Sequence, residues 1–153
     1  MNSGFTLKSF AVCFAVVVVF YLGVFHGIEH WRQKKGPWEV SFTADAQGQP
    51  AVVASQPGLK ISNVTLVFLE EQVPQTNLPQ RIRFDRPLKP VPFGRKLYED
   101  LTVLPGVVTF DFFGHEIELL PRVLIINRRE IPWQSGRTLE LAATNKLLLP
   151  PRR

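Results

Sequence analysis

Residues 9–28 read SFAVCFAVVVVFYLGVFHGI, a run of twenty residues without a charged side chain near the start of the 153-residue chain. A helix rises about 1.5 Å per residue, so this run spans roughly 30 Å, the thickness of the hydrocarbon core of a bilayer. A single helix also satisfies its own backbone hydrogen bonds in lipid. The sequence therefore predicts one transmembrane helix over residues 9–28, preceded by a short N-terminal flank of residues 1–8.

The end of this run distinguishes a retained anchor from a cleaved signal peptide. A processing site requires small side chains. The run instead closes with Val24, Phe25 and His26 before Gly27 and Ile28. We therefore expect an uncleaved signal anchor that holds the protein in the membrane with a single pass.

Two arguments about the side of the membrane oppose each other. Lys8 lies before the run, whereas Arg32, Lys34 and Lys35 lie after it, in a basic juxtamembrane linker of residues 29–36. The bias of basic residues toward the cytoplasm favours a cytoplasmic C-terminal domain. Small β-domains held outside by an N-terminal anchor are nevertheless common. On that ground we expect an extracytoplasmic domain.

The composition after the linker limits the classes of function. Residues 37–153 supply 117 residues, enough for one domain, with 14 Lys and Arg against 12 Asp and Glu. This near balance argues against a nucleic-acid binder, which needs a large excess of positive charge on one face. The single cysteine, Cys13, lies in the apolar run, so the domain has neither a disulfide nor a thiolate metal site.

The domain shows the period of two that is typical of β-strands. Trp38, Val40 and Phe42 alternate with polar residues, and the turn residues 45–48 precede a second apolar stretch, residues 50–55. With 13 prolines in the chain, the pattern predicts an all-β domain over residues 37–153, an antiparallel β-sandwich of immunoglobulin-like or jelly-roll type. Further strands are predicted at residues 63–69, 81–84, 107–113, 115–120, 123–127 and 138–141, with loops at 70–80 and 85–97.

The end of the anchor carries an H-x-x-E-H pattern, His26 to His30, which is the inverted zinc-hydrolase signature. That chemistry also requires a third protein ligand and a surrounding cleft, and a pattern with three fixed positions arises readily by chance. The preferred interpretation is an interfacial anchor at the level of the headgroups, without metal. Its residues are Tyr21, His26, His30, Trp31, Arg32, Lys34 and Lys35.

Six basic residues lie close together in a proline-rich stretch. Proline removes backbone donors, so this stretch is predicted to be an irregular loop that displays its charge to a partner surface or to lipid headgroups. The alternative is a solvated edge strand whose charges prevent aggregation. The six residues are Arg81, Arg83, Arg86, Lys89, Arg95 and Lys96.

An acidic and imidazole cluster surrounds the predicted turn at Gly114. Asp111 and His115 are expected near each other there, next to Glu116 and Glu118. A carboxylate that orients a histidine is a start toward acid–base or metal chemistry, but a structural hydrogen bond at the turn is the preferred interpretation. Phe113 is predicted to be an exposed contact, on the strand face opposite Phe110 and Phe112.

These observations predict a non-catalytic protein without a cofactor. The leading hypothesis is an interaction or accessory subunit of a membrane or envelope assembly, tethered by its single helix. The alternative is an assembly factor that contacts a metal or haem centre through His26, His30, Asp111 or His115. The third hypothesis is a hydrolase. No catalytic residue is assigned under the leading hypothesis.

Overall fold

A computed structural model describes residues 3–33 and 35–143 of the chain. The first compact unit contains helix α1, Ser3–Gln33, which continues five residues past the predicted end at residue 28. Most of the predicted linker 29–36 is therefore helical. Within α1, Thr6–Trp31 is long and apolar enough to cross a membrane, a property that signal sequences near an N-terminus share.

The second compact unit begins at Lys35 and is mostly β-structure. A short 3₁₀ helix, η1, lies at Pro57–Leu59. The strands of the described residues are β1 (Glu39–Ala44), β2 (Pro50–Gln56), β3 (Ile61–Phe68), β4 (Gln80–Arg83), β5 (Arg95–Asp100), β6 (Val107–Phe112), β7 (His115–Leu119), β8 (Val123–Ile126), β9 (Arg129–Pro132) and β10 (Thr138–Leu141).

The strands form two five-stranded sheets. The first sheet has the order β10-β3-β2-β1-β4, and the second sheet follows the chain as β5-β6-β7-β8-β9. In the first sheet β4 returns to lie beside β1, which is the Greek-key order. All ladders are antiparallel except that of β10 with β3, which is parallel. This pair corrects the prediction of a wholly antiparallel fold. It arises because the chain re-enters the first sheet at the end where β3 also begins.

Two strands were not predicted. β5 begins within the predicted loop 85–97, which includes three of its six residues, and its sequence RKLYED carries four charges and no apolar alternation. β9 is four residues long and ends at Pro132. Both are edge strands of the second sheet. Edge positions tolerate charge and proline, because one side of the strand makes no ladder. The hydrophobic pattern is therefore weakest at these two strands.

The two sheets share one core of aromatic and branched side chains. The ring of Phe112 in β6 lies 5.9 Å from that of Phe42 in β1 and 5.6 Å from that of Phe68 in β3. Phe84 and Phe110 meet at 5.4 Å. Each buried Phe contributes about 1.5–3 kcal/mol through removal of apolar surface from water. In the absence of disulfides, this packing holds the two sheets together.

A fully buried glutamine fixes the start of the domain. The Nε2 of Gln56 donates to the carbonyl oxygens of Lys35 and Gly36, each at 2.7 Å, and its Oε1 accepts from the N–H of Leu59 at 3.0 Å. A Cβ at Gly58 would stand 2.3 Å from the Lys35 oxygen, so the backbones meet here. The segment that follows α1 in the sequence is thus held against η1.

Replacement of this glutamine is expected to destabilise the domain. In Gln56→Leu the two carbonyls and one N–H lose their partner inside the protein. A buried unsatisfied group costs about 1–3 kcal/mol, and these three groups cost less together than three such groups because water reaches them in part. We expect a loss of about 2–4 kcal/mol in the free energy of unfolding, measured by urea titration of the full chain in mild detergent. The control Gln47→Leu, at an exposed turn, should change it by about 0.5 kcal/mol or less. Equal losses in both variants would contradict the role of Gln56.

Candidate functional site

The six predicted basic residues lie on two strands and on the connection between them. Arg81 and Arg83 are on β4, and Arg95 and Lys96 are on β5. The loop predicted for this stretch is therefore confined to residues 84–94. The connection contacts both edge strands, because Lys89 donates to the Arg83 carbonyl of β4 and the Leu88 N–H donates to Glu99 of β5, so β4 and β5 lie on one side of the domain.

Acidic residues neutralise most of this positive charge. Glu39 of β1 pairs with Arg81 and also with Arg83, whose Nε lies 3.6 Å from its Oε1. Lys89 pairs with Asp85 at 2.6 Å. The remaining pairs are Arg95 with Asp111 at 3.0 Å and Lys96 with Glu99 at 2.7 Å. Six cations thus face four carboxylates, and within the described residues Arg86 alone among the six forms no salt bridge.

The connection 84–94 closes the side of the core instead of standing free in solvent. Phe84 is fully buried, and Val91 and Phe93 pack against the core. The T-shaped contact between Phe93 and Phe42 has a ring separation of 5.2 Å. Lys89 donates to the Arg83 carbonyl at 2.7 Å, which ties the connection back to β4. This proline-rich connection is therefore a strap that packs against the core and carries charged side chains on its outer surface.

Three large apolar side chains are exposed on the same side. Leu88 is 90% exposed, Tyr98 57% and Leu97 50%, whereas Val103 is the only other large apolar residue exposed in the described part of the domain. The Leu88 N–H donates to Glu99 Oε1 at 3.2 Å, so Leu88 stands beside β5. We call this set the β4–β5 surface. It consists of Arg81, Arg83, Leu88, Lys89, Leu97 and Tyr98.

An open groove of about 240 Å³ runs along β4 on this surface. Its walls combine basic side chains with the apolar groups of Ile82 and Pro90. Contact sites on proteins commonly combine apolar surface with a polar rim.

The sequence identified the cations of this site. The carboxylates that pair with them and the three exposed apolar residues were not identified, although an apolar Leu88 between two prolines is a local signal.

Asp111 and His115 take separate partners at the turn. Asp111 pairs with Arg95, and its Oδ1 accepts from the Gly114 N–H at 3.0 Å. His115 is 3% exposed, and its Nδ1 lies 3.0 Å from Nδ2 of Asn127. The hydrogen bond that Asp111 accepts at this turn thus comes from the Gly114 backbone, a contact different from the expected one with His115. The histidine belongs to the wall of the core.

The structure corrects the exposure predicted for Phe113. This residue has φ +54° and is followed by Gly114 at φ +82°, the two positive values of a type I′ hairpin turn. The turn brings the ring back to the core, where it lies 5.2 Å from Phe68 and 5.9 Å from Phe93. Phe113 is therefore half-buried.

The residues predicted to form an interfacial anchor lie on α1 or next to it. The rings of Tyr21 and Phe25 are stacked at 6.1 Å, and Phe25 meets His26 at 6.2 Å. His30, Trp31 and Lys35 are exposed. The side chain of Arg32 and the whole of Lys34 lie outside the described residues. Among the described residues, no three His, Cys, Asp or Glu side chains are grouped as a metal ion requires.

Comparisons of the chain with protein-family models, with curated proteins and with solved structures found no match.

Two acidic residues of the domain, Glu118 and Asp85, make its stability depend on pH in opposite directions. Burial, with the neighbouring charge of Glu116, raises the pKa of Glu118 above its ordinary value of 4.5. The folded domain therefore holds this proton more tightly than the unfolded chain, and the resulting stability is lost as pH rises from 4.5 through the folded pKa. The hydrogen bond from Lys89 lowers the pKa of Asp85 below 3.8, so stability from Asp85 is lost as pH falls.

We predict that Glu118→Gln raises the urea midpoint at neutral pH, because it removes a carboxylate that is partly buried beside another one. The difference from the original chain should disappear below pH 4.5, where Glu118 is protonated in both states. The variant Asp85→Asn serves as the control of opposite sign, with a lower midpoint at neutral pH. A Glu118→Gln effect that is equal at both pH values would show that charge is not its cause.

Proposed function

We propose that this protein is a non-catalytic interaction module, held at a membrane by a retained α1 helix, that binds a protein partner of a membrane or envelope assembly through its β4–β5 surface. The observation that carries the proposal is that the large exposed apolar residues Leu88, Leu97 and Tyr98 lie on β5 and on the connection that joins it to β4, the strand along which the groove runs. Elsewhere in the described domain, large apolar side chains other than Val103 are buried or half-buried.

The charges of this surface favour an acidic partner. The six basic residues of the two edges and their connection exceed the four carboxylates that pair with them. An apolar partner segment flanked by Asp or Glu would cover Leu88 and Leu97, while its carboxylates meet Arg81 and Arg83, which share the single carboxylate of Glu39. Such complementarity increases the association rate and selects the partner.

We also propose a sandwich arrangement for the two sheets, supported by the aromatic contacts that cross between them. The strand order supports neither of the two predicted types. An immunoglobulin-like domain divides its strands as ABED and CFG, and a jelly roll has two Greek keys. Here one Greek key and one five-stranded meander succeed each other along the chain.

We propose, as part of the same function, that the domain lies outside the cytoplasm. The support for this location is that small β-domains held outside by an N-terminal anchor are common. The basic residues after the helix favour the cytoplasmic side. Labelling of an Asp45→Cys variant with a membrane-impermeant maleimide in intact cells distinguishes the two. Asp45 is exposed in the β1–β2 turn, and Cys13→Ser removes the only native cysteine. Labelling before lysis supports the outside location, and labelling only after lysis contradicts it.

Site-specific crosslinking tests the interaction surface. A photoreactive phenylalanine in place of Tyr98, in the full chain in its native membrane, is expected to yield a discrete adduct with one protein. The double variant Leu88→Ser/Leu97→Ser should abolish the adduct without unfolding the domain, because changes at exposed sites shift stability by about 0.5 kcal/mol or less.

The matched control places the photoreactive group at Thr138, an exposed position on β10 at the far edge of the first sheet. An adduct at 138 but not at 98 would place the contact elsewhere. An adduct at 98 that survives the double serine variant would likewise contradict the proposed role of the apolar residues.

A further inference from the structure

Turns at one end of the β-domain are joined to the segment that follows α1, either directly or through Trp133. The Phe84 N–H donates to the Trp38 carbonyl at 2.9 Å, and Trp38 Nε1 donates to the Gly106 carbonyl at 3.0 Å. The rings of Trp38 and Trp133 lie 5.1 Å apart, and Trp133 Nε1 donates to the Leu120 carbonyl at 2.8 Å. These contacts gather residues 35–38, 57–60, 84–86, 101–106, 120–122 and 133–137, which we call the helix-side end.

The covalent chain limits how far this end can lie from the membrane. One residue separates Gln33, the last residue of α1, from Lys35, and consecutive Cα atoms are 3.8 Å apart. Gln56 fixes Lys35 and Gly36 against η1. A helix that ends at the bilayer surface therefore keeps Lys35, the first residue of the domain, within reach of the headgroups.

The helix-side end carries exposed cations that are not neutralised. Lys35, Lys60, Arg86 and Arg122 are exposed, and none of them forms a salt bridge within the described residues. The carboxylates at this end are fewer than these cations. Asp85 is paired with Lys89, and Asp100 keeps its negative charge while it accepts hydrogen bonds from the backbone and side chain of Thr102. Val103, 40% exposed, adds an apolar side chain among these charges.

The opposite end of the domain differs in charge. Its turns expose Asp45 and Glu70 together with Arg128 and Arg129, so charges of both signs are present. Positive charge without a salt bridge thus accumulates at the end of the domain that contains Lys35, the residue nearest to α1 in the sequence. Basic side chains close to a bilayer are attracted by anionic headgroups within about one Debye length.

We propose that the helix-side end is a lipid-contact surface that binds the anionic headgroups of the bilayer in which α1 is anchored. The inference rests on the proposed function in one respect, the retention of α1 as an anchor. In this arrangement Lys60 and Arg122 contact headgroup phosphates, and Val103 approaches the interface. The β4–β5 surface, on the side of the domain, stays available to a protein partner.

The test uses the full chain with Cys13→Ser, reconstituted in nanodiscs of phosphatidylcholine with or without phosphatidylglycerol. An environment-sensitive NBD probe is attached through Val103→Cys, and the control probe through Gln47→Cys in the exposed turn at the opposite end. We expect a blue shift of the probe at 103, and quenching by headgroup spin labels, that increase with phosphatidylglycerol. The probe at 47 should show neither.

A matched pair of charge reversals then identifies the responsible side chains. Lys60→Glu/Arg122→Glu should return the emission of the probe at 103 to its value in pure phosphatidylcholine. Arg128→Glu/Arg129→Glu should leave it unchanged. The pairs are comparable because all four residues are exposed and because Lys60 and Arg128 share a positive φ, 58° and 65°. Circular dichroism confirms that both variants keep their fold.

The possible results separate the two claims. A chain that does not co-elute with nanodiscs would defeat the anchor, and with it this proposal. A chain that co-elutes while the probe at 103 stays aqueous in both lipids would overturn the lipid contact alone. Equal loss of signal in both double variants would show a nonspecific charge effect and would also overturn it. Reduced quenching when salt is raised from about 0.1 M to about 1 M, which shortens the Debye length from about 10 Å to about 3 Å, is the result expected from headgroup binding.

Discussion

The hydrogen bonds of Gln56 determine how the β-domain continues from its helix. This one buried amide holds the carbonyls of Lys35 and Gly36 and the N–H of Leu59, so the chain enters the domain at a fixed place. Because the strands run between two ends of the domain, fixing the start also determines which turns lie at the same end as Lys35. This single constraint therefore determines which of the two differently charged ends contains Lys35.

A second consequence concerns the side of the domain formed by β4 and β5. The strap of residues 84–94 covers the core with Phe84 and Phe93 and leaves Leu88 in solvent. The two edge strands carry ion pairs, which discourage indiscriminate strand addition. A surface that is closed to edge pairing but retains exposed apolar groups suits a partner that binds through side chains.

The sequence predicted the elements whose signal is local. β1, β2, β6, β7, β8 and β10 agree with their predicted ranges within about two residues, because buried and exposed positions alternate along them. The edge strands β5 and β9 lack that alternation. The parallel pairing of β10 with β3 also escaped prediction, since alternation says nothing about strand order or direction.

The candidate site shows the same limit. The cations from Arg81 to Lys96 are visible in the sequence, but Glu39 lies 42 residues before Arg81 and meets it only through the β1–β4 ladder. Phe113 faces the core because of a backbone φ that a period of two does not encode. The role of Gln56 is not predictable from the sequence, because a single glutamine forms no pattern.

The most direct test of this account is the state of the N-terminal helix in the mature protein. The protein can be extracted with detergent from carbonate-washed membranes and its intact mass determined. The account predicts a mass that includes the Thr6–Trp31 helix and no release of the protein by carbonate. A soluble mature form that begins after the helix would contradict it, because the domain would then have lost the anchor that holds it at a bilayer.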